Sequence, residues 1–239
     1  SGNQLGILPQ LNKHIIGIKY QYSHFSSLPH SISEGNHITN EQFHSQQIWA
    51  RFVAHKRWHF FAFLPYKLNI RSTESSTTKV SGIGDAMLLS NLVVFNTAQY
   101  SGKPLNHALQ FSMGIKMPTG KSDAVRNGLM LHSNIQVGTG SVDLPVNMVY
   151  TLRYRSYGTN IELNFVKNGA NKQQFRFGNR AIASLKAFAW KEVKNISILP
   201  HTGLSYEYAA PDYQAETAQE YTGGKNILGN AGLDIYFKK

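Results

Sequence analysis

The stretch Leu144-Pro145-Val146-Asn147-Met148-Val149-Tyr150-Thr151-Leu152-Arg153-Tyr154 decides the fold, together with the Arg155-Ser156-Tyr157 link and the Ile161-Glu162-Leu163-Asn164-Phe165 segment after it. Leu144, Val146, Met148, Tyr150, Leu152 and Tyr154 alternate with Asp143, Asn147, Thr151 and Arg153. Past the link, Ile161, Leu163 and Phe165 oppose Asn160, Glu162 and Asn164. A period of two places alternate side chains on opposite faces of a strand, and a short polar link makes the pair a hairpin. Each strand has one apolar row and one hydrophilic row.

The pattern extends outward along the chain. Ile16, Ile18, Tyr20 and Tyr22 alternate with Gly17, Lys19, Gln21 and Ser23. Trp58, Phe60, Ala62, Leu64, Tyr66, Leu68 and Ile70 form a third apolar row, although Phe61 and Phe63 blur its partner row. Leu109, Phe111, Met113, Ile115 and Met117 form another, and Ile227, Ala231, Leu233, Ile235 and Phe237 oppose Asn230 and Asp234 near the end. The spacing predicts about ten strands, at roughly 14–25, 43–55, 58–70, 82–95, 107–117, 142–154, 158–167, 179–190, 196–208 and 227–238. Most reach the ~9–11 residues a tilted membrane-crossing strand needs, whereas soluble sandwich strands center near ~5–6.

Connection lengths alternate. Short links lie around Lys56-Arg57, Arg155-Tyr157 and Val193-Asn195, with a moderate one from Asn96 to Asn106. Long polar links run from Ser26 to Gln42, Arg71 to Ser81, Pro118 to Ser141, Asn168 to Gly178 and Ala209 to Asn226. Short turns on one side and long loops on the other are the asymmetry of an outer-membrane barrel. That register expects both termini in the periplasm. Tyr20, Tyr22, Phe25, Trp49, Trp58, Tyr66, Tyr150, Tyr154, Tyr157, Trp190, Tyr206, Tyr208 and Tyr236 lie toward strand ends, where interfacial girdles want amphipathic rings.

Composition agrees. In 239 residues only 15% are charged while 12% are aromatic, yet mean hydropathy is −0.31. The polarity therefore comes from Asn, Gln, Ser, Thr and Tyr, which suits strands with one greasy and one uncharged hydrophilic face. No run approaches the ~18 apolar residues of a transmembrane helix. Ser1-Gly2-Asn3-Gln4 reads as a mature start consistent with export. The absence of cysteine removes disulfides, thiolate metal sites and Cys nucleophiles. The formal charge of +11 favours anionic partners, with solvated loop charge as the plainer reading.

Three glycine-containing stretches remain: Gly82-Ile83-Gly84-Asp85-Ala86, Gly114-Ile115-Lys116-Met117-Pro118-Thr119-Gly120-Lys121, and Gly138-Thr139-Gly140-Ser141-Val142-Asp143-Leu144. Their order and spacing resembles the transporter-like barrels of the MetA pathway of phenol degradation type, especially versions from Bacteroidetes-type bacteria. The likeness covers roughly residues 80–239 well and the first third loosely. It implies an outer-membrane barrel, and some members are called transporters of aromatic compounds. This chain departs in ending Lys238-Lys239 rather than on an aromatic, so twelve strands is the count if the C-terminus is incomplete.

Other motifs carry less. Pro118-Thr119-Gly120-Lys121-Ser122-Asp123 falls short of a phosphate loop: Gly114 is one residue too early, position 115 is Ile, and no helix is expected after it. It reads as a strand-ending turn. Gly82, Gly84, Gly138 and Gly140 read as bends or close backbone approaches, with Asp85 and Asp143 satisfying loop amides or neighbouring Arg side chains. His24, His30, His37 and His44 around the first loop, and His55 and His59 beside a turn, lack converging metal-ligand spacing. Ser and His are plentiful without a Gly-x-Ser-x-Gly elbow. No catalytic, cofactor or metal site is expected, and the chain does not read as an enzyme.

The reading is an all-β, transmembrane, antiparallel up-and-down β-barrel spanning 1–239 as one domain in a bacterial outer membrane. Expected lumen-lining residues are Lys19, Gln21, Arg51, Lys67, Gln110, Lys116, Asn147, Arg153, Glu162, Asn164, Lys186, Glu207 and Asp234, with Thr151, His201 and Asn230 on the same rows. Basic residues exceed acidic ones there, which favours anions, unless an internal salt-bridge network plugs the interior. The expected function is a narrow channel or transporter-like protein for small anionic or aromatic solutes. The alternatives are a non-conducting accessory barrel of an envelope complex and a soluble lipocalin-type binder, which would need an apolar interior. Expected partners are outer-membrane lipid and lipopolysaccharide, and other envelope proteins through the long loops, with no nucleic acid. Strand four is greasy on both faces (Ala86, Leu88, Leu92, Val94 beside Met87, Leu89, Val93, Phe95), which predicts burial of one face against a plug or partner.

Overall fold

Period-two patterning without helical stretches gives a molecule built almost wholly of antiparallel strand. The computed structural model describes residues 14–27, 39–74, 76–99, 104–126, 128–194 and 196–237. The proposed mature start Ser1–Gln4, the terminal Lys238-Lys239 pair, His30 and His37 lie outside the described residues.

The chain forms β1 (Ile15–Ser27), β2 (Thr39–His55), β3 (Trp58–Ser72), β4 (Thr77–Ile83), β5 (Met87–Asn96), β6 (Leu105–Lys116), β7 (Val125–Arg126), β8 (Leu129–Met130), β9 (Leu144–Tyr154) and β10 (Tyr157–Lys167). Then come β11 (Phe175–Arg176), β12 (Arg180–Ala189), β13 (Lys191–Val193), β14 (Ile196–Ala209), β15 (Tyr213–Gln214), β16 (Thr217–Ala218) and β17 (Gly224–Phe237). Among the described residues the principal sheet has twelve strands. β4 and β5 both pair with β3 and are one line broken at Gly84-Asp85-Ala86. β12 and β13 are another, broken at Trp190 and both paired with β14. Each line pairs with the next in chain order, an up-and-down meander of ten lines that curls strongly. β1 and β17 end the ladder, each with one paired neighbour among the described residues.

The connections follow the expected asymmetry with one correction. The link placed at Arg71 to Ser81 is not a long loop: β3 runs on to Ser72, a turn closed by the Thr73 N–H on the Ser76 carbonyl (2.8 Å) follows, and β4 returns from Thr77. Alternation continues through it, with Asn69 opposite Val80, so β4 extends the sheet on that side as far as β1 and β2 do. β1 begins and β17 ends beside the tight turns, since Ile15 pairs with Arg51 and Phe237 with Ile196.

The apolar rows face outward. Leu64 is 44% exposed while its neighbour Phe63 is 7% exposed, and the contrast repeats along β3, β6, β9 and β10. Trp58, Tyr154 and Tyr157 lie on the outer face near the tight turns, and Tyr20, Tyr22, Tyr66, Tyr206 and Tyr208 near the loops. From Trp58 to Tyr66 the rise is roughly 20 Å along the barrel axis, taking ~3.3 Å per residue and a ~40° tilt. That approaches the ~25 Å apolar band of an outer-membrane barrel. Trp49 and Trp190, expected in these girdles, turn inward instead. Trp49 covers Gly17, where a Cβ would collide with its ring, and Trp190 packs on Phe188 and Leu199.

Among the described residues the interior holds three apolar clusters in a polar surround. Phe188 and Leu199 make one near the tight turns; Phe61, Phe63 and Leu89, with Trp49 and Met87, make a second. Thus the inward row of strand four packs against its own neighbours. The third joins Val80 of β4 to Ile135 and Val137 of the long 117–143 connection.

Candidate functional site

The inner face is laid out by strand parity. Lys19, Gln21, Arg51, Lys67, Gln110, Lys116, Asn147, Thr151, Arg153, Glu162, Asn164, Lys186, His201, Glu207, Asn230 and Asp234 all share it, because each occupies a register position between outward apolar residues. Curling brings distant members together: Lys19 of β1 interacts electrostatically with Lys186 of β12 and Glu162 of β10.

Two charged networks organise this face. In the first, Glu162 lies 3.6 Å from the Lys186 ammonium, and its Oε1 accepts the Asn147 amide (3.0 Å) and the Asn164 amide (3.1 Å). These residues occupy paired or adjacent registers, so the network staples β9, β10 and β12 side by side. Farther along, Gln110 accepts from Asn91 (3.1 Å), which accepts from Ser112 (2.7 Å); His201 faces Asp234 at 3.7 Å; and the Arg153 guanidinium lies over the Trp190 ring at 5.5 Å. Arg51 lies near His59.

The second network lies at the loop end and gathers all three glycine-containing motifs. Asp85 Oδ1 accepts the Gly120 N–H (3.0 Å), while Oδ2 accepts the Thr139 N–H (2.7 Å) and hydroxyl (2.8 Å). Lys116 is ion-paired to Asp143 and stands 3.7 Å from Asp85. Asp143, 1% exposed, also accepts the Ser141 hydroxyl (2.9 Å) and the Gly169 N–H (3.0 Å). Thr119 donates its hydroxyl to the Gly84 carbonyl (3.0 Å) and accepts the Ala86 N–H (2.8 Å). Gly120 and Gly138 lie so close that a Cβ on either would collide with the other's backbone. The Gly120 amide therefore holds a carboxylate of the same chain, not a phosphate, and the cation between the aspartates is a lysine where arginine neighbours were expected.

This knot fastens the 117–143 connection inward. Asn69, on the inner face of β3, donates to the carbonyls of Ile135 (3.0 Å) and Gln136 (3.1 Å). Gln136 in turn accepts from Ala124 N–H (3.0 Å) and donates to Leu131 (3.0 Å). The chain between β6 and β9 thus folds over the mouth of the barrel. Beneath it is a cavity of 360 Å³ walled by Lys67, Lys116 and Arg180, by Asn134 and Asn168, and by Met87, Pro145, Val166 and Phe177. Among the described residues no group of three or more His, Asp or Glu side chains is disposed to hold a metal.

This architecture has a counterpart among solved structures. The chain superimposes on the COG4313 outer membrane channel from Pseudomonas putida F1 with a TM-score of 0.57 and 14% identity, over 92% of this chain and 94% of that one. The fold is that of an outer-membrane channel. No family model and no curated protein matches the sequence. The barrel that the motif resemblance implied is the barrel found, with no matching model behind the finer MetA-type subdivision. Within this channel fold the motifs have a physical common denominator, the Asp85–Lys116–Asp143 knot. Sequence reasoning placed Lys67 and Lys116 on the inner face but missed Arg180 and Phe177. Arg180 was accessible by parity, since it lies on the row of Ser184 and Lys186. Phe177 lies in a connection, where no periodicity points a side chain.

Proposed function

We propose that this chain is a narrow bacterial outer-membrane channel for small solutes, anionic ones above all, and not an enzyme. The observation that carries the reading is the two-sided sheet: an apolar outer surface belted by Tyr and Trp, and a hydrophilic inner face on which Lys19, Lys67 and Arg180 have no ion-pair partner among the described residues. Water-lined faces rich in fixed cations favour anions, and the inward Trp49–Phe61–Phe63 cluster offers apolar contact to aromatic solutes. In hydrocarbon every backbone group needs a partner, so β1 and β17 close the barrel against each other. Tight turns and both termini then face the periplasm, and the outer face meets lipid and lipopolysaccharide.

A second reading, a non-conducting accessory barrel that engages envelope proteins through its loops, is favoured by the inward-folded 117–143 connection and the apolar clusters inside. Single-channel recording of the refolded protein in planar bilayers separates the two. The channel reading expects discrete conductance steps and a reversal potential set by the anion gradient. Silent bilayers, with correctly inserted protein, would overturn it in favour of the accessory barrel.

A further inference from the structure

We propose that the 360 Å³ cavity under the 117–143 connection is a binding site for a small monocarboxylate with an apolar body. The proposal deepens the channel reading by naming a solute class and a place on its path, and rests on that reading for the path alone.

The cavity has the size of a small-molecule site, near the lower end of the ~300–1,000 Å³ usual for them. Its cations come from different parts of the sheet. Lys67 projects from β3, its stem against Pro65 and Gly84, where a Cβ on Gly84 would lie 3.1 Å from the lysine Cε. Arg180 opens β12, across the barrel. Neither makes a hydrogen bond or ion pair among the described residues, whereas Lys116, the third cation, is held by Asp143. Cations that line a partly open cavity without an ion-pair partner are the groups a bound carboxylate would satisfy, and charge-assisted hydrogen bonds to Lys and Arg are the strong ones.

Charge selects among anions. Lys67, Lys116 and Arg180 stand on the wall, and setting against them the Asp85 and Asp143 carboxylates that lie on Lys116 behind it leaves one uncompensated positive charge. A monoanion completes the balance. A dianion overfills it and meets repulsion from the two aspartates. The remaining wall selects the body of the ligand: Met87, Pro145, Val166 and Phe177 give an apolar surface that a free inorganic anion would leave unused.

The test uses the full chain, folded in detergent, with calorimetric titration of hexanoate, hexanol, hexanedioate and inorganic phosphate, and heat-modifiable migration to confirm folding. Hexanoate is expected to bind, with hexanol, hexanedioate and phosphate weaker by about tenfold or more. Lys67→Met should weaken hexanoate about tenfold or more, Arg180→Gln several-fold, and Lys79→Met, on an exposed position of β4, not at all. Arg180 lies at the exposed end of its strand, so its variant tests the site even if the Lys67 variant fails to fold. Hexanoate binding that is absent, matched by hexanol, or unchanged in the folded Lys67 and Arg180 variants overturns the site. Binding as expected in a protein that never conducts keeps the site and overturns the channel; conductance without hexanoate binding does the reverse.

Discussion

The two charged networks on the inner face use the same chemistry to different ends. Around Glu162 the partners are lateral neighbours in the ladder, Asn147, Asn164 and Lys186, so each bond repeats a contact the strand pairing already makes. Around Lys116 the partners come from residues 85, 120, 139, 143 and 169; Asp143 is the cross-strand partner of Lys116, whereas residues 120, 139 and 169 lie in segments that no ladder pairs with it. A lateral network adds stability to a wall that stands without it. A convergent one helps to position a loop that the strand pairing does not reach, together with the Asn69 hydrogen bonds and the Val80–Ile135–Val137 cluster. Function built on the loop's position therefore depends on the knot, and the lateral network can vary with little consequence for the mouth of the barrel.

Replacing Asp143 with Ala should have the largest effect, because a carboxylate that is nearly wholly buried leaves Lys116, Ser141 and Gly169 with it. A loss of about 3–5 kcal/mol is expected in urea unfolding from lipid vesicles. Trypsin should also cut at Lys121 and Arg126, sites inside the connection that the intact knot protects. If the loop stays resistant in that variant, the contrast between the networks fails. Leu64→Arg, in the middle of an outward row, should cost about 2–4 kcal/mol in the same assay, as for a cation at the bilayer midplane. A neutral result would place Leu64 away from hydrocarbon.

Glu162→Gln should cost less, about 1.5–3 kcal/mol, since one charge-assisted partner of Lys186 is lost while the amide bonds have an acceptor left. The sharper readout is the loop, whose trypsin resistance should not change. Smallest of all is Glu41→Gln at the half-exposed pair with Arg71 (3.5 Å), where under about 1 kcal/mol is expected. A larger shift there would show that this pair is also shielded from water.

Much of the wall was legible before any coordinates. Leu144–Tyr154 and Tyr157–Lys167 pair in the register their alternation predicts, and the polar positions of that hairpin, Asn147, Glu162 and Asn164, meet on one face. Legibility declined where parity was the wrong question. Trp49 in the middle of β2 and Trp190 just past the end of β12 both lie on the inner rows, so an argument that placed them toward strand ends in the girdles misplaced them. Phe61 and Phe63 blurred the hydrophilic partner row of β3 and prove to belong to an inward apolar cluster. The Arg71–Ser81 link read as loop because Thr and Ser dominate it, yet the hydrogen-bonding of β3 simply continues.

What the sequence determined alone was the sheet: its strands, their order, which row meets hydrocarbon and where the short turns lie. These follow from a two-residue period and from link length, both local properties that each segment carries by itself. The tertiary structure decided the inward course of the 117–143 connection, the meeting of Asp85, Lys116 and Asp143, and the cavity shared by Lys67 and Arg180. The knot depends on loops folding back on adjacent strands, and the cavity on curling the sheet, which brings together residues a hundred positions apart; no local pattern encodes how far apart two distant side chains will stand once the sheet has curled.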